Sequence, residues 1–122
     1  MKVLLIGFKE SFRKFLMQII TRSDSDIAIV APDNQMDARL YLEEYGHNVS
    51  MVIIGDDDLS FIGTLLIAKE LHSHLQVLGI YGNPNERSVR EQQFRQIGIA
   101  DVLPSSSIRE IVEFVTSNTA NK

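Results

Sequence analysis

The sequence predicts an α/β domain in which five strands form one parallel sheet covered by helices on both faces, a three-layer α/β/α sandwich. Short apolar runs recur at Val3–Ile6, Ile27–Val30, Met51–Ile54, Val77–Ile80 and Ala100–Leu103. They lack the polar alternation of a half-exposed strand, as strands buried on both faces do. Each run is followed by a stretch of helical periodicity, and a helix crossing between successive strands makes them parallel.

After the first run, Ser11 opens a helix in which Phe12, Phe15, Leu16 and Ile19 share a face. Asp33 or Asn34 caps a second, where Ala38, Tyr41, Leu42 and Tyr45 align and Gly46 ends the pattern. A third, from about Ser60 to His72, carries Ile62, Leu65, Leu66 and Leu71 around much of its circumference, which predicts a well-buried helix. Asn83, Pro84 and Glu86 open the fourth as cap, first helical residue and capping-box acid. Val89, Phe94 and Ile97 are expected to face the core, with Gly98 closing the helix. Ser107 and Glu110 form a capping box for the fifth, whose stripe is Ile108, Ile111, Val112 and Val115.

A chain of 122 residues suits one domain, expected over 1–117, with 118–122 a polar tail or the start of a linker. Composition is that of a soluble globular protein, 44% hydrophobic and 23% charged. Without cysteine there is no disulfide, thiolate metal ligand or thiol nucleophile, and a cytoplasmic location is expected. The run Val3–Ile6 is too short for a membrane span or signal core, so no membrane association is expected. A net charge of −4 argues against direct, sequence-blind nucleic-acid binding. His47, His72 and His74 lack partners at metal-ligand spacing and read as loop and helix-end residues. Ser105, Ser106 and Ser107 have no recognisable base, and no dinucleotide fingerprint or P-loop lysine is present.

Five βα units in this length resemble the receiver domain of two-component response regulators, a flavodoxin-like fold. The resemblance implies a (βα)5 sheet of order 2-1-3-4-5 with its site beyond the carboxyl ends of the strands. Receivers place two metal-binding acids after the first strand, where this chain has Gly7 and Phe8; the Arg13-Lys14 pair fits the family's first helix without a gap. The phosphoacceptor aspartate corresponds to Gly55, and the family's glycine eight residues later matches Gly63. The hydroxyl residue closing the fourth strand is replaced by Tyr81, followed by Gly82. Ser105 stands in place of the lysine after the fifth, so no cation is expected at the site. The pocket Gly7, Phe8, Gly55, Tyr81 and Ser105 therefore reads as degenerate. Tyr81, opposite the small Val102, is expected to fill vacated space.

Asp56, Asp57 and Asp58 read as a solvated acidic loop whose replacement should matter little, with Asp56 or Asp57 as alternative phosphoacceptors. The resemblance implies an atypical receiver in signal transduction or transcriptional regulation, acting as a phosphorylation-independent interaction module. No enzymatic activity, cofactor or metal is expected. The expected contact, with a protein partner or as a homodimer, lies on the face of helix 4, strand 5 and helix 5, through Asp101, Arg109 and Phe114. In the dimerising branch an arginine is typical at the place of Phe114, so an apolar contact is expected there. A fused output domain beyond Lys122 would fit the family. Two alternatives are a working receiver in a phosphorelay, phosphorylated at Asp56 or Asp57, and a small flavodoxin-like cofactor binder using the cleft between Gly7 and Gly55.

Overall fold

A computed structural model describes residues 1–120. The strands are β1 (Lys2–Ile6), β2 (Ala28–Val30), β3 (Val49–Gly55), β4 (Gln76–Tyr81) and β5 (Asp101–Pro104). The helices are α1 (Glu10–Ser23), α2 (Gln35–Tyr45), α3 (Phe61–Leu71), α4 (Arg87–Gln96) and α5 (Ile108–Ala120). All neighbouring strands pair in parallel, in the order β2-β1-β3-β4-β5. This is the three-layer flavodoxin-like arrangement, with the carboxyl ends of β1, β3 and β4 side by side. Helix α5 runs past 118, and the last two residues of the expected tail lie outside the described residues.

Central β3 shows why its run is continuously apolar. Val52 and Ile54 enter one core with Leu42, Leu65 and Phe94, whereas Met51 and Ile53 enter the opposite core with Leu16, Ile20 and Ile111. A strand sandwiched in this way has no solvent face for polar residues. Its polar groups are displaced to its carboxyl end.

The caps of α2 follow the sequence, whereas α1 starts at Glu10, one residue before Ser11. Asn83 accepts the Asn85 amide at 3.0 Å to cap a short 3-10 turn, Pro84–Glu86, ahead of α4. The Asn34 side chain accepts the Asp37 amide at 2.9 Å, and Gly46 ends α2. A methyl group at Gly46 would run into the His72 ring, whose Nε2 lies 3.0 Å from the Leu42 carbonyl oxygen. His74 similarly meets the Val49 carbonyl oxygen at 3.1 Å. Gly98 closes α4 with a φ of +89°, a conformation that costs a residue with a Cβ far more.

The faces of two helices differ from expectation. Helix α3 buries Phe61, Thr64, Leu65 and Ala68, but Leu66, Ile67 and Leu71 are exposed. As part of an outer layer it has only one face on the sheet, so its broad apolar circumference does not signal full burial. In α4, Phe94 is buried and Ile97 half-buried, yet Val89 is 57% exposed. The inward position one residue further on is taken by Arg90, drawn in by an acid on β3's far end. In α1 the buried pair is Leu16 and Ile20, while Phe15 is exposed.

Candidate functional site

The carboxyl ends of β1, β3, β4 and β5 surround a hollow of about 210 Å³ lined by Phe8, Phe12, Asp56, Asp57, Ile80, Gly82 and Ser105. Parallel strands bring together residues nearly a hundred positions apart. Of the residues expected here from sequence, Phe8, Asp56, Asp57 and Ser105 line it directly.

Phe8 and Gly55 occupy one space. A methyl group at Gly55 would lie 2.5 Å from the Phe8 ring, and one at Gly7 would lie 2.7 Å from the Gly55 carbonyl oxygen. Gly7 also has a φ of +81°, which turns the chain so that Phe8 reaches over β3. The ring continues into Phe12 at a centroid separation of 5.6 Å. Phe8 thus covers Gly55. Tyr81 is buried as well, but it lines a depression toward α4 and β5 with Arg87, Glu91, Val102 and Ser107.

Each of the three aspartates holds backbone. Asp56 accepts the Gly82 amide through Oδ1 at 3.1 Å and Oδ2 at 3.3 Å. Asp57 Oδ2 accepts the Lys9 amide at 3.0 Å, tying the β3 end to the start of α1. Asp58 Oδ1 accepts the Ser60 amide at 3.0 Å and hydroxyl at 2.6 Å, while its own amide donates to Gly7 O at 3.2 Å. The loop is not merely a solvated acidic run.

Asp56 also has a cation beside it. Its side chain is only 10% exposed, and Arg90 Nε lies 3.4 Å from Oδ2, close enough for ion pairing but without hydrogen-bond alignment. The same guanidinium meets Glu86 at 3.3 Å and donates to Gln93 Oε1 at 2.9 Å. Arg90 corrects the expectation that no cation reaches the site. It comes from α4, not from the end of β5, and its charge is already matched by Asp56 and Glu86.

The magnesium ion that receivers hold does not fit these residues. Gly7 and Phe8 offer no carboxylate, and Glu10, the next acid, is paired with Lys14 at 2.9 Å. That hydrogen-bonded lysine, with Arg13 nearby, holds the Glu10 carboxyl below its ordinary pKa. Among the described residues, no group of three or more His, Asp or Glu side chains is gathered to hold a metal ion.

The expected interaction residues lie elsewhere. Asp101 and half-buried Phe114 border a groove of about 510 Å³ between β5 and α5, together with Glu110 and Glu113; Arg109 is exposed and outside its lining. No helix among the described residues is long and apolar enough to cross a membrane.

No protein-family profile matches the sequence, and no curated protein does. Solved structures match closely in shape. An atypical orphan response regulator, described as having a phosphorylation-independent regulatory mechanism, superposes with a TM-score of 0.75 at 20% identity, over 98% of this chain and 96% of that one. An orphan response regulator of H. pylori gives 0.74 at 19% identity, over 97% and 95%. A DNA-binding response regulator of the LuxR family from Staphylococcus aureus gives 0.74 at 20% identity, over 96% and 97%. The class is flavodoxin-like α/β with its site at the strand ends. Within that class the chain has the receiver fold of response regulators.

Two outcomes follow from this geometry. Asp56→Ala leaves Arg90 and the Gly82 amide without their acceptor and should cost about 1–3 kcal/mol in chemical denaturation, against about 1 kcal/mol or less for Asp57→Ala. Gly55→Asp alone should destabilise by about 1–3 kcal/mol through collision with Phe8, and adding Phe8→Ala should recover most of that loss.

Proposed function

We propose that the chain is an atypical receiver domain, acting in signal transduction or transcriptional regulation by binding protein partners without accepting a phosphoryl group. The observation that carries this reading is the Phe8 ring in the space where a side chain on Gly55 would stand. An acceptor at that position and the ring exclude one another. An aspartyl phosphate also brings nearly two negative charges. Arg90, the cation beside Asp56, is already engaged by Asp56 and Glu86, and the carboxylates that would hold a metal are missing after β1. The similar structure described as phosphorylation-independent supports the same reading.

The interaction surface in this reading is the face of α4, β5 and α5, where Asp101 and Phe114 share a groove. The domain then works in the cytoplasm, is not an enzyme, and takes its output from a partner or a fused domain. Phosphorylation at Asp56 is the second reading, favoured by Arg90 beside its carboxylate. Both carboxylate oxygens of Asp56 accept from Gly82, which weighs against it as a nucleophile.

Incubation with acetyl phosphate or beryllofluoride separates the two. The mass and amide spectrum should stay unchanged; a mass increase abolished by Asp56→Asn would establish the phosphorelay reading instead. For the interaction face, Phe114→Asp should lower self-association or partner capture severalfold in sedimentation and pull-down experiments. Unchanged association and capture would remove Phe114 from the interface.

A further inference from the structure

One edge of the sheet, along β5, carries features that the strand-end hollow does not explain. The order β2-β1-β3-β4-β5 leaves β2 and β5 as the two edges, and among the described residues β5 pairs with β4 alone. Two depressions follow this edge, about 510 Å³ on the α5 side and about 230 Å³ on the α4 side, and they share Val102, Leu103 and Glu110. Side chains alternate along β5. Val102 packs toward the core under α4, Leu103 toward the core under α5, and Asp101 falls on the same side as Leu103.

Charge is divided unevenly between the two sides. Asp101, Glu110 and Glu113 border the α5-side groove around Phe114, and among the described residues no Lys or Arg lines it. None of these three carboxylates is in an ion pair among the described residues. The arginines of α4 are already engaged, Arg87 and Arg95 by Glu91 and Arg90 by Asp56 and Glu86.

We propose that this edge receives an extended, cationic segment of another protein, laid beside β5 as an added strand. The proposal rests on the reading of the α4, β5 and α5 face as the interaction surface and names its occupant. In an added strand, alternate side chains face opposite sides of the sheet. Basic residues at every second position meet Asp101, Glu110 and Glu113, and the residues between them lie against Tyr81 and Val102. Main-chain bonding to the edge provides affinity, while the carboxylates select the sign of the partner's charge. A second copy is the poorer occupant, because its α4 arginines are already matched by its own acids.

The test titrates a peptide of about ten residues, alternating arginine and valine, into the isotopically labelled chain, beside a twin with glutamate for arginine. The arginine peptide should shift the amides of β5 and α5, and the glutamate peptide should not bind. Affinity should fall about tenfold as ionic strength rises from about 0.05 M to about 0.5 M. Glu110→Lys combined with Glu113→Lys, both at exposed positions, should remove binding while the chain stays folded. Absence of binding, shifts mapping to other elements, or unchanged affinity in the charge-reversed chain would overturn the proposal. Phe114→Asp separates the levels of the argument. If it lowers partner capture but charge reversal does not, the face is an interface whose occupant is not cationic; if neither matters and the arginine peptide does not bind, the interface reading fails as well. Self-association lost on Phe114→Asp would assign the edge to a second copy and overturn the cationic partner.

Discussion

The site is organised around a single exclusion: the Phe8 ring and any side chain on Gly55 compete for one volume. Gly7 makes this possible, since its positive φ swings the β1–α1 connection across the end of β3. The surrounding bonds then close over the ring. Lys9 donates to Asp57 and Asp58 donates to Gly7, so the loops after β1 and β3 are stitched to one another at both ends. Phe8 and Phe12 form the aromatic part of a hollow that Asp56, Asp57 and Ser105 also line.

Electrostatics at the same end of the sheet follows from burial. Asp56 lies just beyond a strand buried at every position but Ser50, with little solvent to stabilise its charge. A buried carboxylate needs donors or a counter-charge. The Gly82 amide and Arg90 provide them, linking the tip of β3 to the β4–α4 connection and to α4 itself. Val89, though apolar, is turned outward, and the inward place on that face is taken by Arg90, which meets Asp56 and Glu86. α4 is therefore positioned by Phe94 packing over Gly79 and by this ion-pair network together.

The helix faces show where sequence reasoning loses its grip. Periodicity located α3 but overstated its burial, because an apolar side chain carries no mark of whether a neighbouring layer exists to cover it. Ile67 and Leu71 are as apolar as Leu65, and only the placement of α3 in an outer layer separates them. Tyr81 shows a related limit, since it is buried beside Val102 but does not line the hollow at the end of β3. Alternation along β4 sends that side chain toward α4, whereas the volume above Gly55 is reached from β1, a strand distant in sequence from both.

By itself the sequence determined the alternation of strands and helices, the parallel sheet and the ends of α2. These are properties of local pattern: burial on two faces demands uninterrupted apolar runs, and caps demand particular side chains at fixed offsets. Only the tertiary structure decided that Phe8 covers Gly55, that Arg90 reaches Asp56 from thirty-four residues away, and that Asp101, Glu110 and Glu113 share one groove. Those contacts join segments whose separation along the chain conceals their distance in space, and packing of the whole sheet brings them together.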